Sequence, residues 1–501
     1  MPGMPETKIE PPSGPQPGRW VMAHGDIRTV VTGLMLAMFL AALNQTIVAT
    51  ALPTIGRDFR DFELLPWVVT AYLLTSTVVA PLYGKLSDIY GRRAMMLAAV
   101  GLFIAGSAAC AAARDMILLI LGRGLQGIGG GGILPLAQAI LADAVAPRER
   151  GRYQAYMGTA WVTAGLCGPA LGGILSEHFH WSIIFWINVP LGLGAALMTH
   201  HTLKRLPRHD YKHKLDLLGA FLMMAAAIPL LLALTWGGAR YPWTSPPIAA
   251  LALITLALSM LFIWRLRAAP EPFLPLSVLA NQIMRMGTAC TSFSQAVVVG
   301  LTIFLPLYYE IVHKFSASDS GLALIPIVVM STPGSILAGR AMMYTEHYKR
   351  VPIIGLICAI AALSLLVWNP AISPIAGAGL LSIIAFGIGT TYPVGTVSIQ
   401  NAVSRFQVGA AMGAMNFFRG LTAAFIVAVM GAIVLAALGV SYQRGGNATV
   451  VTETANAVGT SPAHVFRGIF ALSVLCLIAS LVALIRMEQR PLRGRSEERP
   501  Q

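Results

Sequence analysis

Long apolar runs dominate this chain of 501 residues. A helix needs about 20 apolar residues to cross a bilayer core. Runs of that length centre on roughly 28–52, 64–86, 93–113, 116–142, 152–176, 181–203, 215–237, 246–266, 285–311, 319–343, 351–369, 374–400, 408–440 and 466–487, which makes about fourteen spans in chain order. Soluble domains carry roughly 25% charged residues, whereas here 11% are charged and 56% hydrophobic. Lipid is therefore the solvent. A backbone exposed to lipid must satisfy its own hydrogen bonds, and segments this long do so as helices rather than barrel strands. The expected fold is an all-α polytopic membrane protein.

The basic residues orient the spans, because Lys and Arg concentrate in cytoplasmic segments. With the N-terminus placed inside, the inner segments hold 26 of them and the outer ones 7. Arg123 and Arg419 remain within spans. Both termini are thus expected in the cytoplasm, and the net charge of +14 is explained without nucleic acid as a partner. Residues 1–24 carry six prolines and no apolar run, which predicts a disordered tail and not a signal peptide. Residues 489–501 form a second, basic tail. The loop KRLPRHDYKHK at 204–214 divides the first six spans from the rest.

Cys110, Cys167, Cys290, Cys358 and Cys476 all lie in apolar runs without a CxxC pair. Neither a disulfide framework nor a metal site is expected, and no cofactor is implied. The run Gly129–Gly132 follows no soluble strand and lacks a Walker lysine, so close packing of span 4 explains it better than a nucleotide loop. An ATP-driven pump is excluded by the same absence. No nucleophile–base arrangement or signalling domain supports an enzyme or sensor.

Polar groups inside spans carry most of the remaining information, because a charge at bilayer depth costs roughly 2.5–3.5 kcal/mol on insertion scales. Arg123 lies about eight residues, or ~12 Å, below the outer end of span 4, and Asn44 lies about nine residues below that of span 1. Gln126 shares a helix face with Arg123. Asn44, Gln45, Arg123 and Gln126 are expected to share a central cavity. The alternative is that Arg123 snorkels outward while Asn44 bonds a neighbouring backbone. Glu310 ends FLPLYYE near the outer end of span 9, either as a proton-carrying carboxylate or as a solvated one. Tyr392 and Gln400 in span 12 are expected to line the cavity. Asn416 and Arg419, three apart in span 13, are expected to make an interhelical bond.

Four stretches resemble the major facilitator superfamily, and within it the fourteen-span drug:proton antiporter branch. They are LNQTIVATALPTI at 43–55, GKLSDIYGRR at 84–93, RGLQGIGGGG at 123–132 and GLCGPALGG at 165–173. The resemblance implies the major facilitator fold, with two six-helix bundles at 25–203 and 269–488. Residues 204–268 would hold the basic loop and two additional, peripheral helices. The substrate site would lie between the bundles at mid-depth. The implied function is secondary active export of amphipathic or cationic organic compounds by proton antiport and alternating access. The implied setting is a bacterial inner (plasma) membrane, with small organic substrate and protons as partners and no obligatory protein partner.

Residue by residue, the resemblance ties Arg123 to proton transfer. It makes Gly84, Asp88, Gly91, Arg92 and Arg93 a gating loop whose Asp88 meets the start of span 13 near Gly409. It marks Gly165, Gly168 and Gly172 with Pro169 as an exporter signature. The glycines would form one smooth contact face, with a bend permitted at Pro169. Four departures stand out. Asn44 replaces the usual aspartate of the branch, and an amide cannot titrate. Ile89 replaces a basic residue, Ser182 before FWINVPLG replaces arginine, and Glu310 stands where glutamine is frequent. The loss at position 44 keeps uptake or facilitated diffusion of a small metabolite open as the alternative.

Overall fold

Each apolar run becomes a helix because lipid offers its backbone no other partner. The computed structural model describes residues 24–61, 63–204, 215–238, 240–438 and 462–492. The expectations for most of both tails and for loop residues 205–214 lie outside the described residues. Spans 1 to 6 are Ile27–Phe59, Leu65–Tyr90, Arg92–Ala111, Met116–Ala144, Pro147–Leu175 and Ile183–His201. Spans 7 and 8 are Leu217–Trp236 and Pro246–Ala268. Spans 9 to 14 are Gln282–Val312, Asp319–Tyr344, Arg350–Trp368, Pro374–Ala402, Val408–Val434 and Phe466–Arg486.

Local chemistry sets the ends. Asp115 caps span 4 by accepting from the Leu118 N–H, and Asn281 caps span 9 by accepting from Ile283 and Met284. Such caps satisfy amides that the first helical turn leaves free. Proline enters the first turn of spans 2, 5, 8 and 12, where its missing N–H costs nothing. Gly91 joins spans 2 and 3 with φ +90°, a conformation that a side chain would strain.

Three spans are interrupted, span 6 by a turn at Ile187 between Ile183–Trp186 and Asn188–Leu203. Span 10 runs through the pieces Ala317–Leu322, Ile325–Val329 and Ser331–Tyr344, and span 12 breaks at Thr390. The Ser335 hydroxyl donates to the Gly389 carbonyl at 2.7 Å, which satisfies a backbone group near the break. Irregular backbone at membrane depth survives only with such internal partners.

Spans 1–6 bury an apolar core of their own, and spans 9–14 bury another. The inserted pair divides in two. Only 6% of the most apolar stretch of span 8 is buried, against 50% for span 7. Span 7 packs Ala227 and Leu231 against Val78 of span 2 and Phe417 of span 13. The peripheral placement expected for both helices therefore holds for span 8 alone. Span 7 sits in the seam because its small and aliphatic face fits between the two halves.

At the end of the molecule that carries Lys85, Arg92, Arg93, Arg148, Arg340 and Lys349, called here the basic face, the halves touch backbone to backbone. Span 2 crosses span 13 where Gly84 meets Gly409 and Gly413, and span 5 crosses span 10 where Gly151 meets Gly339. A Cβ on Gly84 would strike the Gly409 carbonyl, and one on Gly413 would lie 2.8 Å from the Ala80 carbonyl. Small residues permit this approach, and any larger residue would wedge the halves apart.

Candidate functional site

The first half holds a sealed polar cluster around Arg123. Asn44 and Gln126 are fully buried and Arg123 is 1% exposed. The Arg123 guanidinium donates to the Val68 carbonyl at 2.9 Å and to Gln126 Oε1 at 2.6 Å. It also lies 4.4 Å from the Tyr72 ring centroid, a cation–π contact that offsets part of its desolvation. Gln126 passes the chain on, donating to Asn44 Oδ1 at 3.0 Å and to the Ser107 hydroxyl at 2.6 Å. Asn188 of span 6 also donates to Asn44 Oδ1, at 3.3 Å. The amide nitrogen of Asn44 makes no well-formed hydrogen bond among the described residues, although the Tyr72 hydroxyl lies beside it.

Arg123 therefore points into its bundle and does not snorkel. Asn44, Arg123 and Gln126 come together, but inside the first half, walled off from open space in this conformation. Gln45 is half-buried on the next face of span 1, beside the Tyr72 hydroxyl. It is the member of the group that reaches toward accessible space.

The glycine run of span 4 makes this cluster possible. Cβ atoms on Gly127 and Gly131 would strike span 2, and one on Gly129 would strike the backbone of span 3. Their absence lets three helices close around the arginine. The stripe in span 5 serves two partners rather than one. Gly168 and Gly172 pack on Thr46 and Thr50 of span 1, whereas Gly165 faces Val328 of span 10, across the seam. Pro169 lies inside an unbroken helix, Pro147–His178.

A second polar group lies at mid-depth on the other half. Arg419 donates to Gln295 Oε1 at 3.0 Å and to Asn416 Oδ1 at 3.2 Å. The Tyr392 hydroxyl donates to the same Gln295 oxygen at 2.8 Å, and the Arg419 guanidinium stands 5.3 Å from the Tyr392 ring centroid. Asn416 also bridges the halves, donating to Gln138 Oε1 at 2.7 Å. Gln400 is 3% exposed and donates to the Gln138 carbonyl at 3.0 Å. It ties the halves together near the basic face and lines no open space here, whereas Tyr392 is half-buried.

The contact of span 2 with span 13 is electrostatic as well as steric. Asp88 Oδ1 accepts from the Gly409 N–H at 3.0 Å and Oδ2 from the Ala410 N–H at 2.8 Å. These are unspent donors of the first turn of span 13, where the helix dipole favours an anion. Arg92 donates to Asp88 at 2.5 Å, to the Ser87 hydroxyl at 2.6 Å and to Asp143 at 2.8 Å. Arg93 turns away and meets the ring of His200 at 3.1 Å. Sequence reasoning missed Asp143, although an acid one residue from the end of span 4 is a visible signal. It also missed Ser107 and Tyr72, which carry no signal apart from their fold neighbours.

Glu310 is half-buried two residues from the end of span 9 and makes no hydrogen bond or ion pair among the described residues. It lies on the other half from the Arg123 cluster, at the face opposite the basic one. Among the described residues no group of His, Cys, Asp and Glu is arranged to hold a metal ion.

Comparison with known proteins places this architecture. The family model described as Major Facilitator Superfamily matches residues 34–427. The chain is 33% identical over 411 residues to the multidrug transporter protein MdtP of Bacillus subtilis (strain 168), covering 82% of this chain and 76% of that one. It is 32% identical over 414 residues to the efflux pump FUS6 of Gibberella fujikuroi, covering 81% and 74%. Among solved structures, a bacterial homologue of the iron transporter ferroportin in its outward-facing state superposes with a TM-score of 0.60 at 11% identity, over 92% of this chain and all of that one. The proton:xylose symporter XylE superposes with a TM-score of 0.59 at 15% identity, over 90% and 95%. These structures share the fold, and the sequence relatives share the family: the chain belongs to the major facilitator superfamily.

Proposed function

We propose that this protein exports small amphipathic organic compounds by alternating access, coupled to protons moving inward. The basic face is cytoplasmic in this reading, as the excess of Lys and Arg there favours. Both termini then lie inside a plasma membrane, bacterial by analogy with one of the relatives. The bundles at 25–203 and 269–488 rock against each other, with span 7 following the seam. Relatives named as a multidrug transporter and an efflux pump, aligned over four-fifths of the chain, support export over uptake.

One observation carries the mechanism: Asp88 accepts two backbone N–H groups from the opposite half. With the glycine crossings, this holds the cytoplasmic side shut. Opening the inner side requires breaking those bonds, so substrate taken from the cytoplasm must find a state in which Asp88 is released. Arg92 and Asp143 keep the carboxylate oriented meanwhile.

Coupling needs a carboxylate that loads and unloads. Asn44 cannot serve, and Glu310 is a half-buried, unpaired acid that the outside reaches first. In proteoliposomes with an imposed pH gradient and a compound panel, the wild type is expected to accumulate substrate against its gradient. Glu310→Gln is expected to lose that accumulation and keep downhill exchange. Wild-type transport that ignores the pH gradient would replace the antiport reading with a facilitator, the alternative that Asn44 favours.

A further inference from the structure

The charges at mid-depth are all of one sign. Every Asp or Glu within a span lies within three residues of its end. Arg123 and Arg419 stand deeper, with no carboxylate at their level. Arg123 is sealed and acts on a substrate only through its field. Arg419 lies eleven residues into span 13, or ~17 Å at the helical rise, near the bilayer centre. It is partly exposed, as are Gln295 and Tyr392. Asn416 beside it bonds across to Gln138 of the first half, so the group faces the seam rather than lipid.

Its hydrogen bonding is short of acceptors. Arg419 and Tyr392, on different helices, both donate to one neutral amide oxygen, Gln295 Oε1. The Nε of Arg419 is buried and has no partner among the described residues. A guanidinium at this depth met only by amides and the face of Tyr392 has no counter-charge. An incoming carboxylate or sulfonate oxygen would replace Gln295 as a stronger acceptor and supply the missing charge, since charge-assisted bonds are about twice as strong as neutral ones.

Accordingly, we infer that Arg419, with Tyr392 and Gln295, forms the receptor for an anionic group, and that the exported compounds are amphipathic organic acids rather than cations. This deepens the export reading and rests on it for the direction of transport, but not for binding. A cation entering the same space would meet the Arg419 guanidinium and no counter-charge.

The test uses three matched probes, 1-pyrenebutyrate, its primary amide and 1-pyrenebutylammonium, binding to the purified full-length protein by fluorescence. The wild type is expected to bind the carboxylate at least about tenfold more tightly than either of the others, the scale of one lost charge-assisted bond. Arg419→Gln is expected to erase that preference while still binding the neutral amide, and Arg419→Lys to retain part of it. Amide binding by Arg419→Gln guards against misfolding. A wild type that favours the ammonium, binds all three alike or binds none would overturn the inference, as would a preference that survives in Arg419→Gln. Transport of a bound probe in vesicles is scored separately: binding without export would count against the export reading and leave the anion receptor standing.

Discussion

At the scale of single residues, Asn44 and Arg123 carry the most consequence. Removing the guanidinium leaves Gln126 Oε1 and the Val68 carbonyl without their donor, yet also relieves a buried cation. Arg123→Ala is therefore expected to reach the membrane in near-normal amount and to lose transport, as followed by surface yield and vesicle flux together. Normal flux in a well-expressed variant would remove Arg123 from the transport cycle. Asn44→Asp replaces an amide, whose nitrogen makes no well-formed hydrogen bond among the described residues, by a carboxylate that can accept from both Gln126 and Asn188. It is expected to steepen the pH dependence of transport, because a titratable group then joins the Arg123 chain. An unchanged pH profile would separate Asn44 from coupling. The shared depth of Asn44 and Arg123 was legible from counting residues along two apolar runs. Ser107, Tyr72 and Asn188 were not, because which neighbours surround a buried guanidinium is set by packing between helices.

At the scale of elements, the contact of span 2 with span 13 is the proposed gate. Asp88→Asn leaves one acceptor oxygen for two backbone N–H groups and turns an NH2 donor against the other, so at least one charge-assisted bond is lost outright, about 1.5–3 kcal/mol, or roughly a tenfold to hundredfold shift in the gate equilibrium. Asp88→Asn is expected to slow net transport with little change in substrate affinity. Affinity that falls in proportion to transport would contradict a gating role. Gly84→Leu is expected to act harder in the same direction, since its side chain meets the Gly409 carbonyl. Protease or alkylating reagents applied from the basic side are then expected to react faster than with wild type, and unchanged protection would show that the crossing tolerates a side chain. The charged turn at Gly84–Arg93 was readable in sequence, and its partner at the start of span 13 came from the family resemblance, because a contact across more than 300 residues leaves no local signal. The two partners of the span 5 glycines, the interruptions in spans 6, 10 and 12 and the seam position of span 7 were not readable. Each depends on which face of a helix meets which neighbour, and a uniformly apolar span carries no period that tells lipid from protein.

At the scale of the whole molecule, the span count follows from hydropathy, the division into halves came with the family resemblance, and the conformation follows from neither. Closing one face and opening the other changes few residue types and many contacts. If the cargo is anionic, an inside-negative membrane potential also drives it outward, by ~2.3 kcal/mol per charge for each 100 mV. The central claim is that Asp88 and the glycine crossings hold the basic face shut in the resting protein and must release for transport. Spin labels at Tyr90→Cys and Ser404→Cys, both exposed at that face, report it directly in a background without the five native cysteines. The wild-type background is expected to give one short, narrow distance in lipid, and Asp88→Asn to add a longer, broader one. A long distance already dominant in the wild-type background, unaltered by Asp88→Asn, would contradict the account.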